Sequence, residues 1–191
     1  MTTTQRTLEG RRVAILAADG VEQVELTAPR DAVTDAGATT TLLSIRSGSV
    51  QAMNNDVEAA DTFPVDHVVG DVSPDDFDAL ILPGGTTNPD KLRQDSNAVE
   101  FVRAFVSAHK PVGVICHGPW TLVEADVVRG RTLTSYPSVR TDIRNAGGTV
   151  VDEEVVVDGG LVSSRNPDDL PAFCAKIVQQ FAAGAHVGSA N

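Results

Sequence analysis

The sequence predicts an α/β fold in which a mainly parallel sheet carries helices on both faces. Two observations predict it. Short, unbroken apolar runs at 13–17, 78–82 and 111–115 have the character of strands covered on both sides. Between them lie segments of helical pattern closed by Gly or Pro, and strands that alternate with helices build parallel sheets. The 191 residues suit one domain with a sizeable core. No repeat or linker divides them, so a single domain is expected over residues 12–183, with short tails at 1–11 and 184–191.

Taken in order, Val13–Ala17 is a central strand. Asp19-Gly20 opens a loop, a helix runs from about Glu22 to Asp35, and Gly37 stops it. Thr39–Ile45 is a second strand. From Ser47 to Val72 the breakers Gly48, Asn54-Asn55, Pro64 and Gly70 leave only small strands and turns. Asp78–Leu82 is a buried strand ending in Pro83-Gly84-Gly85, and a helix near 97–109 leads to the strand Pro111–Ile115. A strand at Arg131–Thr134 precedes a helix at 139–145 capped by Gly147-Gly148. Val155–Val157 and Leu161–Ser164, joined by Asp158-Gly159-Gly160, read as a hairpin. Pro167 opens a last helix to about Ala183, and the remaining Gly and Ala residues read as a loose tail.

Acidic residues outnumber basic ones 26 to 15, a formal charge of -11, which argues against a nucleic-acid partner. The Thr-rich start lacks the apolar core of a signal peptide, and no apolar stretch is long enough for a membrane span. Two distant cysteines suggest no disulfide framework and fit a reducing cytoplasm. Cys174 reads as a buried apolar residue of the last helix. His67, His109 and His186 show no metal-ligand spacing with each other or with the cysteines, so no metal is expected.

Cys116 is the candidate nucleophile. It ends a buried strand at Cys116-His117-Gly118-Pro119, with Pro119 where a first helical turn accepts proline. Unpaired amides and the positive end of a helix at such a corner favour thiolate, which predicts a thiol pKa lowered toward neutrality. In a parallel sheet ligands bind beyond the carboxyl ends of the strands. Asp19–Glu22, Gly84-Gly85 and Cys116-His117 are therefore expected to converge on one crevice.

These motifs resemble the DJ-1/PfpI superfamily, specifically its PfpI-like branch. The likeness runs from about Arg12 to Phe181. It rests on Leu80–Gly85, Pro111–Pro119, Arg129-Gly130-Arg131 with Ser135-Tyr136-Pro137, Asn145-Ala146-Gly147, Asp152–Asp158 and Ser163-Ser164-Arg165. The resemblance implies a flavodoxin-like three-layer sandwich and a site. Cys116 becomes the nucleophile, Glu22 the carboxyl touching its sulfur, and His117 the catalytic imidazole. The backbone of Gly84 and Gly85, helped by the His117 amide, faces the reacting oxygen. Asp90 completes a triad across a subunit boundary, which implies a homodimer or larger assembly, and Tyr136 is a possible substrate contact. Two anions repel, so Glu22 is expected to be protonated and to donate to sulfur. Glu25, one turn on, reads instead as a helix-start carboxylate favoured by the dipole.

Relatives of this kind are glyoxalases that hydrate methylglyoxal to lactate without a cofactor, or deglycases that remove early glycation adducts. The resemblance therefore implies a cofactor-free, stress-protective enzyme acting on small reactive carbonyls or glycated substrates. The alternatives are an intracellular cysteine peptidase, which needs the same residues and a wider groove, and a non-enzymatic redox sensor or chaperone-like protein. A glutamine amidotransferase is disfavoured, because Arg165-Asn166-Pro167-Asp168 stands where its His-Pro-Glu motif would fall.

Overall fold

The computed structural model describes residues 7–184; His186 and most of the expected tail lie outside them. In chain order the elements are β1 (Arg12–Leu16), β2 (Val21–Glu22), α1 (Gln23–Asp35), β3 (Thr39–Ser44), β4 (Ser49–Asn54), β5 (Glu58–Pro64) and β6 (His67–Val68). They continue with β7 (Ala79–Leu82), α2 (Thr87–Leu92), α3 (Ser96–Ser107), β8 (Val112–Ile115), α4 (Pro119–Glu124), β9 (Thr132–Leu133) and α5 (Arg140–Asn145). The last are β10 (Thr149–Val150), β11 (Val155–Asp158), β12 (Leu161–Ser164) and α6 (Leu170–Ala183).

Seven strands form the main sheet in the order β11-β12-β8-β7-β1-β3-β6. Every neighbouring pair is parallel except β11 with β12. Numbered along the chain, the five central strands β1, β3, β7, β8 and β12 lie in the order 2-1-3-4-5, which is the flavodoxin-like arrangement. In that topology the crevice opens beyond the ends of β1 and β7, where the order reverses.

The unbroken apolar runs arise because helices cover both faces. Along β1, Val13 and Ile15 join one core with Leu26 and Val33 of α1 and Phe173, Ile177 and Phe181 of α6. Ala14 and Leu16 point the other way, into a core with Phe101, Val102 and Phe105 of α3 and Leu122 of α4. Each fully buried Phe or Ile contributes roughly 1.5–3 kcal/mol relative to exposure, so the i, i+4, i+8 stripe of α6 is enough to dock it. No helix among the described residues is long and apolar enough to cross a membrane.

The β11–β12 hairpin forms as expected. Its two-residue connection, Gly159 and Gly160, takes φ of 54° and 88°, both left-handed, which matches the twist of the strands it joins. The packed chain begins earlier than Arg12: the side chain of Leu8 is fully buried, and its amide donates to the Ala36 carbonyl at 2.9 Å. Cys174 is only half-buried, packed against the edge of the α1/α6 core, and burial pushes its thiol up to about 11. Segment 47–72 does yield short strands. Its β4–β5 pair belongs to a separate three-stranded sheet, β2-β4-β5, whose turn at Asn55 and Asp56 overhangs the carboxyl ends of the main strands.

Candidate active site

Cys116 sits between β8 and α4 with φ of 62°, a left-handed backbone that no side chain adopts freely. Such strain costs on the order of 1–3 kcal/mol and persists only where neighbours enforce it. Here its amide donates to the Ser164 carbonyl at 3.1 Å, and its carbonyl accepts from the Tyr136 amide at 3.0 Å. The corner turns the side chain out of the strand, as in a nucleophile elbow. The backbone amides of Gly85 and His117 both point at the sulfur.

The carboxyl beside the sulfur is Glu25, not Glu22. Glu22 is still in extended backbone (φ -67°, ψ 119°) and pairs as β2 with β4, so its side chain runs toward the β4–β5 turn. There Oε1 and Oε2 accept the amides of Asn55 and Asp56 at 3.1 and 3.3 Å. Glu25, inside the first turn of α1, points down onto the strand ends and is completely buried. Its carboxyl adjoins the Cys116 thiol, and Oε2 accepts the Gly84 amide at 2.9 Å. Oε1 has no hydrogen bond of ordinary geometry among the described residues.

Gly84 is thus a partner of Glu25, and the amides directed at the sulfur are those of Gly85 and His117. A Cβ on Gly84 would strike the Glu25 carboxylate and come within 2.6 Å of Cys116 Cβ. Asn88, fully buried, fixes this loop. Its Nδ2 donates to the carbonyls of Pro83 and Gly84, both at 3.0 Å, and its Oδ1 accepts the Ala18 amide at 2.7 Å. One side chain thereby ties the end of β1 to the end of β7.

Burial raises both acids of the pair. Glu25 is pushed up to about 8, chiefly by desolvation and against the help of its hydrogen bonds. The Cys116 thiol also rises, because burial and the Glu25 charge outweigh the amides of Gly85 and His117. The lowered thiol pKa predicted from the corner alone is therefore not found. The two groups titrate together, and near neutrality they hold at most one negative charge between them.

His117 is nearly buried (4% exposed). Its Nδ1 lies 3.1 Å from Cys116 Sγ and its Nε2 lies 3.0 Å from Ser138 Oγ. The ring stacks on Tyr136 at 4.4 Å and leans on Trp120 at 5.1 Å. Desolvation lowers its pKa, so the imidazole is neutral at pH 7. Asp90 is exposed on α2 and lies outside the pocket lining of its own chain; its carboxylate accepts from Gln94 Nε2 at 3.3 Å.

These groups line a pocket of about 220 Å³ formed by Glu22, Glu25, Asn55, Asp56, Gly85, Cys116, His117, Tyr136 and Pro167. The three strand-end loops do converge there. Asp56 Oδ1 accepts the Thr86 amide at 2.7 Å and its hydroxyl at 3.2 Å, so the overhanging turn is pinned on both sides of the opening. Asn55, Asp56, Asn88 and Ser138 were not singled out from the sequence. The positive φ of Asn55 and Asp56 had a signal in the Asn54-Asn55 turn, whereas Asn88 and Ser138 act through contacts that no local pattern announces.

The DJ-1/PfpI family model matches residues 11–180. The chain is 44% identical over 164 residues to protein/nucleic acid deglycase 2 of Escherichia coli (strain K12), covering 85% of this chain and 93% of that one. It is 40% identical over 163 residues to YraA of Bacillus subtilis (strain 168), provisionally named a cysteine protease, covering 85% and 94%. Among solved structures, Drosophila melanogaster DJ-1beta superposes with a TM-score of 0.81 at 29% identity, covering 90% of each chain.

Proposed function

The chain belongs to the DJ-1/PfpI family, and from that premise we propose a cofactor-free, stress-protective enzyme that acts on reactive carbonyl compounds through Cys116. The observation that carries this reading is the buried thiol wedged between the Glu25 carboxyl and a neutral His117 at the floor of a small pocket.

The chemistry follows from those contacts. Cys116 Sγ adds to the aldehyde carbon as the C–S bond forms and the carbonyl pair moves to oxygen. The thiol proton passes through His117 Nδ1 to that oxygen, leaving a hydroxyl. The amides of Gly85 and His117 stabilise the oxygen while it is negative, each such donor being worth roughly 3 kcal/mol. With a 2-oxoaldehyde such as methylglyoxal, a proton then moves from the carbon bearing sulfur to the neighbouring carbonyl carbon, while the proton of the adduct's hydroxyl moves to the ketone oxygen. This turns the adduct into a thioester. Water cleaves the thioester, releases a 2-hydroxy acid and restores the thiol. The net change is addition of one water, so no external oxidant or reductant enters.

Pocket size and charge support this substrate class. About 220 Å³ falls below the roughly 300 Å³ at which drug-sized sites begin, which suits a small carbonyl better than an extended peptide. Glu22 and Asp56 line the opening and, among the described residues, no Lys or Arg does, which favours neutral or cationic carbonyl adducts over oxo acids. Incubating wild type and Cys116→Ala with methylglyoxal, and separately with fluorogenic peptides, tests the reading. Cys116-dependent lactate supports it. Cys116-dependent peptide release, or neither activity with a readily oxidised Cys116, contradicts it.

A further inference from the structure

Two successive amides at the end of β7 serve the buried acid pair. That of Gly84 donates to Glu25 Oε2 at 2.9 Å, and that of Gly85 points at the Cys116 sulfur. A trans peptide is planar, with its carbonyl and its N–H on opposite sides, so whatever holds the carbonyl aims the N–H. The Gly84 amide shares its peptide with the Pro83 carbonyl, and the Gly85 amide shares its peptide with the Gly84 carbonyl. Both carbonyls accept from Asn88 Nδ2, each at 3.0 Å. We propose that Asn88 is a positioning residue: by gripping two consecutive carbonyls with one amide group, it aims one N–H at the Glu25 carboxyl and the next at the Cys116 sulfur. The inference rests on Cys116 and Glu25 forming the reactive pair and goes further in naming what orients the donors around it.

The surroundings of Asn88 suit this role. Its side chain is fully buried, and a buried amide is costly unless it is bonded. Oδ1 accepts the Ala18 amide at 2.7 Å, which anchors the group to the end of β1 and leaves both N–H bonds for the β7 loop. The partners settle which end is which, since turning the amide over would set its oxygen against two carbonyls. The loop after β1 also lies against the start of α2: a Cβ on Gly20 would fall 2.4 Å from Thr87 Cβ, so Asn88 has little room to swing. The Gly84 carbonyl has a second, longer bond, from the Glu22 amide at 3.3 Å. The Gly85 amide is therefore held twice over, and the Gly84 amide leans chiefly on Asn88. Both amides favour negative charge on the pair, whichever member carries it. The other titratable groups around the pair are Glu22, Asp56 and His117, and a change at Asn88 alters none of them.

The test compares wild type, Asn88→Leu, Asn88→Ser and Phe105→Leu in the full-length protein. Leu fills a similar volume without donors, and Ser keeps one shorter donor. Phe105, beneath Lys110 at the opposite end of β8 from Cys116, serves as a destabilised control. Two readouts need no turnover: the pH midpoint of Cys116 alkylation by iodoacetamide, and the pH at which the protonated-carboxyl infrared band of Glu25 disappears. Asn88→Leu is expected to move both midpoints up by about one pH unit, with alkylation at pH 7 slowed about tenfold, the size of one hydrogen bond to a charged group. The carboxyl band should move at least as far as the alkylation. Asn88→Ser moves both by less, and Phe105→Leu melts earlier but moves neither. Wild-type midpoints in Asn88→Leu overturn the proposal, as does an equal shift in Phe105→Leu. Where Asn88→Leu does not fold, Asn88→Ser decides, and midpoints equal to wild type in it overturn the proposal. Failure of the carbonyl reading shows separately, as methylglyoxal consumption that survives Cys116→Ala.

Discussion

Glu22 and Glu25 stand three residues apart and line the same pocket, yet their surroundings are opposite. Glu25 belongs to the floor, completely buried among strand ends, glycines and a strained cysteine, with Oε2 on the Gly84 amide. Glu22 belongs to the rim. There it is half-exposed and holds the amides of an overhanging turn, work that any acceptor of the right length performs. Burial alone therefore separates a carboxyl that alters a neighbour's chemistry from one that shapes an opening.

The largest effects should come from the floor. Cys116→Ala is expected to lower methylglyoxal consumption by about a thousandfold or more, as loss of a nucleophile does. Gly84→Ala pushes a methyl between Glu25 and Cys116; thermal unfolding should show a loss of about 1–3 kcal/mol, with alkylation of Cys116 slowed as well.

Next comes the contrast between the two acids. Glu25→Leu removes a hydrogen-bond donor to a developing sulfur anion, and alkylation at pH 7 should fall by about ten- to a hundredfold. Glu25→Gln keeps a neutral donor and should lose less than about tenfold, and Glu22→Gln less than about threefold. Equal effects at Glu22 and Glu25 would erase the distinction between floor and rim.

Stability should carry the same mark. The folded pKa of Glu25, about 8, lies above its ordinary 4.5, so between those values the unfolded chain is ionised there and the native chain is protonated. Rising pH therefore costs native stability across that window, by up to about 1.4 kcal/mol per unit. The stability is full below about 4.5 and its loss is complete above about 8. Melting temperatures taken from pH 4.5 to 8.5 should fall less steeply in Glu25→Gln than in wild type. The smallest effect is expected at the rim. Asp56→Asn weakens one anchor of the turn, which should change KM a few-fold for a cationic adduct and leave kcat nearly untouched.

Much of the fold was legible because buried parallel strands leave continuous apolar runs, and Gly and Pro mark their ends. The α2 segment was not, since six residues containing Pro89 carry too short a pattern to register as helix. Cys116 was visible for a related reason: a cysteine between a buried strand and a Pro-led helix has few other geometries open to it. The carboxyl beside sulfur was placed one turn early. Sequence spacing does not say that the chain is still extended at Glu22, or that Glu25 is the first acid to face the sheet. The thiol pKa was misjudged because helix and amide fields are local features of a motif, whereas desolvation belongs to the finished core.

The central claim is that Glu25 stays protonated against the Cys116 sulfur at neutral pH. Infrared difference spectra of wild type against Glu25→Gln, recorded from pH 6 to 9, observe that proton directly. The predicted result is a protonated-carboxyl band at pH 7 that disappears around pH 8 and is missing from the variant. A carboxylate band alone at pH 7, with no protonated band at any pH in that range, would contradict the account.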